Sequence, residues 1–174
     1  GRHGPPRPGD SDNFLIKADK SPNTRGAQAL GLSFDGAALI DRAVHTELSV
    51  LYVFGHDVVD MYGQRAVSKA IENLELLVFQ GSNINASYQY AHIVLPGAVY
   101  AEKDGTFTNC QGRVQRIRPA FPPLGEAKPD TWILLELAKR LGLTLECADA
   151  NTIFSELAAH ESAFQGLSYE VIGD

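Results

Sequence analysis

Three short apolar runs limit most strongly what this chain can fold into. Residues 48–54 read LSVLYVF, residues 76–79 read LLVF and residues 93–95 read IVL. Such runs are apolar on both faces, as strands are when a parallel sheet is covered on two sides. Pro96 closes the third run, because proline cannot donate to a ladder. Between the first two runs Val67, Ala70, Ile71 and Leu74 recur at the spacing of a buried helix face. Ahead of the first run, Asp35 is placed to cap a helix carrying Leu39, Ile40, Ala43 and Val44 on one side. Strand, helix and strand in such quick succession specify parallel βαβ units with right-handed crossovers.

The character of the chain changes after Gly105. Residues 106–118 alternate loosely and read as extended structure, followed by a proline-rich loop over residues 119–129. Asp130 then caps a helix with Leu134, Leu137, Ala138 and Leu141 on one face. Lys139 and Arg140 sit in its last turn, where the helix dipole favours cations, and Gly142 stops it. A final helix is expected over residues 152–160. Residues 14–18 read as a short strand, and residues 21–26 break regularity through closely spaced Pro and Gly. The predicted architecture is a Rossmann-like α/β domain over residues 14–169: a parallel sheet layer with flanking helices, then an extended segment and a C-terminal helix. Residues 1–13 read as a linker or trimmed end, and residues 170–174 as a tail.

Composition removes several functions. With 44% apolar residues the chain can fill a core, and 174 residues suit one domain. A net charge of -6 and a pI near 5.3 disfavour a nucleic-acid partner, which calls for a basic face. No apolar run approaches the roughly 18–20 residues of a membrane span, and the leader has no secretory signal. Cys110 and Cys147 are too few for an iron–sulfur cluster or structural zinc. They could form a disulfide, but a reduced pair is the expectation.

In an open parallel sheet, ligands bind beyond the carboxyl ends of the strands. Those ends here are Gly55-His56-Asp57 and Gly81-Ser82-Asn83, whose glycines suit either close approach to a phosphate or an ordinary turn. No GxGxxG occurs, which speaks against a self-contained NAD site. Arg113, Arg116 and Arg118 form a basic patch suited to phosphate or carboxylate partners, on a ligand or on a neighbouring domain. Residues 102–105 read as a surface turn with solvated charges and a positive φ at Gly105. The five histidines show no ligand spacing, and His92 is expected to be packed or hydrogen-bonded.

Residues 91–115, AHIVLPGAVYAEKDGTFTNCQGRVQ, combine an apolar run ending in Leu-Pro-Gly, an Ala-Glu-Lys-Asp-Gly turn and Thr-Phe-Thr-Asn before Gly-Arg-Val-Gln. In that order they resemble the C-terminal half of the molybdopterin oxidoreductase superfamily. The nearer resemblance is to the large iron–sulfur subunit of NADH–quinone oxidoreductase, respiratory complex I; formate dehydrogenase catalytic subunits come second. Formate dehydrogenases carry an Asp directly after the second strand, then Thr-Glu-Thr-Ala, and these residues help hold the guanine dinucleotide arm of the pterin. This chain has Gly81 and residues 85–88 (NASY) there, and His92 where a later Asp stands. The complex I resemblance implies a structural domain with no redox centre, inactive in isolation, with Gly55, His56, Gly81, Ser82 and Arg113 as vestigial cofactor contacts. Iron–sulfur clusters would belong to an N-terminal region outside this chain, and molybdopterin guanine dinucleotide would be held only under the formate dehydrogenase alternative. The implied partners are the rest of the same subunit and other peripheral-arm subunits. The implied location is the cytoplasmic side of a bacterial inner membrane, or the mitochondrial matrix.

Overall fold

The computed structural model describes residues 22–33 and 35–173. The expected strand at residues 14–18 lies outside them. The helices are α1 Thr24–Ala29, α2 Gly36–Val44, α3 Val58–Tyr62, α4 Gln64–Glu72, α5 Asp130–Arg140, α6 Ala150–His160 and α7 Tyr169–Ile172. The strands are β1 Val50–Phe54, β2 Leu76–Gly81, β3 Ile93–Pro96, β4 Gly105–Thr108 and β5 Val114–Ile117. The described residues form two compact units. One holds residues 33, 35–103 and 119–146, the other residues 22–32, 104–118 and 147–173.

The first unit is the parallel layer. β1, β2 and β3 pair in that order, all parallel, with Tyr52 opposite Val78 and Val78 opposite Ile93. This is the α/β class that the three apolar runs specify. Its core joins Ile40 and Ala43 of α2, Val67 and Ala70 of α4, Val53 of β1, and Leu77 and Phe79 of β2. Asp35 does cap α2, accepting a hydrogen bond from the Ala38 N–H at 2.9 Å. Asn73, just after α4, closes the other end of α2 by donating to the carbonyls of Ala43 and Val44 at 3.3 and 2.8 Å. Burial on both faces holds for β2 alone. Val50, Phe54, Ile93 and Val94 are exposed, because in a three-stranded sheet β1 and β3 are both edges.

α5 also departs from the expected face. Ile133 and Ala138 are buried and Leu137 is half-buried, whereas Leu134 and Leu141 are 46% and 69% exposed. Five of the residues from Trp132 to Leu137 are apolar, so spacing alone cannot choose between faces one residue apart. Asp130 is the first helical residue rather than a side-chain cap.

In the second unit the extended segment is a two-stranded antiparallel hairpin, β4 with β5, with Phe107 opposite Gln115. Phe154, Phe164 and Tyr169 form its small core. α1 begins at Thr24, so the expected break at residues 21–26 is confined to Pro22 and Asn23, the latter left-handed at φ 68°. Its side-chain carbonyl accepts from the Thr108 N–H at 2.7 Å, and its own N–H donates to the Thr108 carbonyl at 2.9 Å. α6 starts at Ala150, slightly earlier than expected, with Asp149 as its cap.

Candidate functional site

Register brings the three strand ends of the parallel sheet level. The Gly55 N–H donates to the Gln80 carbonyl at 2.7 Å, and the Gly97 N–H to the Gly81 carbonyl at 3.0 Å. Gly55, His56, Gly81 and Ser82 therefore gather on one edge, with His56, Ser82 and Asn83 exposed on the turns. Gly55 adopts a left-handed φ of 64°, and a Cβ there would meet nothing within 4 Å. The outer side of that turn is open.

Asp57, the third residue of the first turn, is committed inward. One carboxylate oxygen accepts from the Ser87 hydroxyl at 2.7 Å and from the N–H groups of Val59 and Asp60 at 3.1 and 3.2 Å; the other accepts from the Ala86 N–H at 3.0 Å. It caps α3 and pins the 3-10 turn at Ser87–Tyr90 at once. Burial pushes its carboxyl upward, but the Ser87 hydroxyl and the three backbone donors outweigh this and hold it below the usual carboxylate range.

A second polar chain runs beneath the edge. Gln80 is fully buried at the end of β2, accepting from the Tyr52 hydroxyl and donating to Asp130 at 2.8 Å. The other Asp130 oxygen pairs with Lys103. Burial, and then the nearby Asp130 charge, raise the Tyr52 phenol above its usual range, which keeps it a donor. Gly97 lets Asp130 approach: a Cβ at Gly97 would stand 3.1 Å from the carboxylate.

Gly81 is closed in a different way. An added Cβ would fall 2.7 and 2.8 Å from two ring carbons of Phe79, itself 2% exposed. Phe79 and Gly81, two residues apart, face the same side of the strand, and the aromatic ring fills the space a side chain at Gly81 would need.

Arg113 lies in the other unit, exposed on the β4–β5 turn, where its backbone N–H donates to Asn109 at 3.0 Å. Arg116 is not a free cation. It makes a two-pronged bond to Asp104 at 3.4 and 3.2 Å and lies 4.2 Å above the Tyr169 ring. The charges of residues 102–104 are likewise engaged rather than solvated. Lys103 pairs with Asp130, Asp104 with Arg116, and buried Glu102 accepts from the N–H groups of Val99 and Leu124 at 2.9 and 3.1 Å. Gly105 opens β4 without a positive φ. His92 is hydrogen-bonded as expected, its Nδ1 accepting from the Leu77 N–H at 2.8 Å.

A separate cleft of about 540 Å³ runs between β3 and α5, floored by Leu95, Pro96, Ile133 and Leu137, with Lys128 over the Trp132 ring. None of the sequence candidates lines it. Among the described residues no group of His, Cys, Asp or Glu is arranged to hold a metal ion, and no helix is long and apolar enough to cross a membrane.

The sequence profile described as molybdopterin oxidoreductase matches residues 17–140. The chain belongs to the molybdopterin oxidoreductase family. Among the relatives of this molybdopterin oxidoreductase chain is "Putative formate dehydrogenase YrhE" of Bacillus subtilis (strain 168), 35% identical over 95% of this chain and 18% of its own length. "Putative formate dehydrogenase SAB2186c" of Staphylococcus aureus (strain bovine RF122 / ET3-1) is 36% identical over 92% of this chain and 16% of its own. The chain thus spans less than a fifth of these relatives. Acetylene hydratase from Pelobacter acetylenicus superposes with a TM-score of 0.62 at 21% identity, covering 78% of this chain and 19% of that one, a likeness of fold. The names of the curated relatives favour the formate dehydrogenase side of the resemblance over the complex I side.

Two parts of this molybdopterin oxidoreductase edge escaped the sequence reading. Asp57 is a hub because it sits one residue before a helix, a capping signal obscured by the turn context. Gln80 is an amide at the end of a buried strand, and such a residue signals a polar partner elsewhere in the chain.

Proposed function

We propose that this chain is the dinucleotide-arm domain of a formate-dehydrogenase-like molybdopterin oxidoreductase, receiving one nucleotide end of the pterin cofactor on the turns Gly55–His56 and Gly81–Ser82. The observation that carries this reading is the open, glycine-lined edge at the level ends of three parallel strands. The formate dehydrogenase names of the curated relatives support it further. The fit to the cofactor is partial. The exposed turns at Gly55–His56 and Ser82 leave open space for phosphate and ribose, with the Gly55 N–H itself spent on the Gln80 carbonyl, while no carboxylate stands at Gly81. When bound, the pterin would supply the metal for oxidoreduction elsewhere in the full protein; the residues here would bind and orient its nucleotide end. The rest of a longer polypeptide would be the domain's chief partner.

The ring of Phe79 over Gly81 favours a second reading, a structural domain like that of the large iron–sulfur subunit of complex I, with no ligand at this edge. Titration calorimetry of the chain with GDP separates the two. Under our proposal GDP binds saturably with a Kd of about 1 mM or tighter. Ser82→Glu, on an exposed turn, should abolish the signal by setting a carboxylate against the phosphates. Absence of saturable heat with the unaltered chain would move the assignment to the structural reading.

A further inference from the structure

We infer that this edge grips a nucleotide by phosphate and ribose and leaves the base unread, so that guanine holds no advantage over other bases; this rests on the nucleotide-binding reading above. Guanine presents two neighbouring N–H donors, and a carboxylate with two acceptor oxygens in one plane is the side chain that matches them. Two partly buried carboxylates, Asp57 and Asp130, stand beside the edge, and both are spent on the fold. Asp57 accepts from Ser87, Val59 and Asp60 on one oxygen and from Ala86 on the other. Asp130 accepts from Gln80 and pairs with Lys103. At Gly81 the Phe79 ring takes the volume that a new carboxylate would enter.

The other polar side chains on the turns, His56, Ser82 and Asn83, are exposed and carry no carboxylate. Asn83, already donating to the Ser82 hydroxyl at 3.3 Å, offers a single acceptor oxygen, half of what the guanine edge asks for. Asp60 in the first turn of α3 is exposed, and there water competes for any bond it makes to a base. The edge therefore has polar backbone for a phosphate and no desolvated pair of acceptors for a purine. Discrimination between bases comes from buried polar groups left unpaired by the wrong partner, and none stands at this edge among the described residues.

The test is parallel titration of the chain with GDP, IDP, ADP and CDP; IDP lacks only the 2-amino donor of guanine. The expected result is four dissociation constants within about threefold of one another, unchanged in Asp60→Asn. GDP binding more than about threefold tighter than IDP would overturn the inference while leaving the nucleotide-binding reading intact, and loss of that preference in Asp60→Asn would name the reader. If none of the four binds saturably, the nucleotide-binding reading falls and this inference falls with it.

Discussion

Two neighbouring turns on one sheet edge, after β1 and after β2, are built from similar residues, and each lacks a free carboxylate for an opposite reason. The first carries a carboxylate, Asp57, that four donors turn inward to tie α3 and the Ser87 turn to the strand. The second carries no side chain at all at Gly81, because a buried aromatic ring occupies the space. In the first the acidic group is present and employed in the fold; in the second it has no room. A sequence motif at a strand end therefore says where a ligand can approach, but not whether the polar groups there are free to meet it.

The comparison breaks most readily at Asp57. Asp57→Ala removes the α3 cap and takes the carboxylate acceptor from the Ser87 hydroxyl and from the Asp60 and Ala86 N–H groups, while the Val59 N–H keeps the Ser87 hydroxyl oxygen at 3.2 Å. The expected loss is about 2–4 kcal/mol, read from urea unfolding. A loss under about 0.5 kcal/mol would mean that water replaces the carboxylate freely and the turn is open after all. The second turn is tested by crowding. Gly81→Asp should cost about 1–3 kcal/mol, since its Cβ meets the buried ring of Phe79. Combining it with Phe79→Leu should give a double variant more stable than the sum of the two losses predicts, with coupling of about 0.5–3 kcal/mol. Strict additivity would show that the ring yields without strain.

How much of this was legible before the structure divides along physical lines. The βα order, the Asp35 cap and the three strands follow from short-range signals, apolar runs and capping residues, and the structure reproduces them. Sheet position does not: nothing in LSVLYVF tells that Phe54 is half exposed on an edge strand, because burial of a strand depends on which neighbours pair with it. For the same reason α5, apolar around most of its circumference, hid its face, and Leu134 points away from the core that Ile133 enters. The rule for strand ends is local, so Gly55, His56, Gly81 and Ser82 could be placed on the sheet edge from the sequence, where the structure has them. Asp57 caps α3 locally, but the distant partners that complete the commitment of Asp57 and Gln80 lie 30 and 50 residues away, at Ser87 and Asp130, and no local pattern joins those.

A smaller effect is expected from pH. The folded Asp57 carboxyl lies below its unfolded value of about 3.9, so its contribution is complete above that value and is lost as pH falls through the folded pKa. The stability gap between the unaltered chain and Asp57→Asn should stay flat from about pH 7 to 5 and narrow below about pH 4. A gap that instead widens on acidification would mean that the carboxyl is destabilised by burial rather than held by its donors.

The smallest effect is expected at His56, the residue between the open glycine and the committed aspartate. Its side chain is exposed, and its carbonyl accepts from the Asn85 amide at 3.4 Å. His56→Ala keeps that carbonyl, so stability should change by under about 0.5 kcal/mol. Under the nucleotide-binding reading the exposed imidazole flanks the backbone offered to a phosphate, and GDP affinity should fall by no more than about two- to threefold in His56→Ala. Equal affinity in the two proteins would remove His56 from the site and leave the turn's backbone as the binding element. A stability loss above about 1 kcal/mol would show that the first turn is as internally committed at His56 as it is at Asp57, erasing the contrast between open and closed positions within that turn.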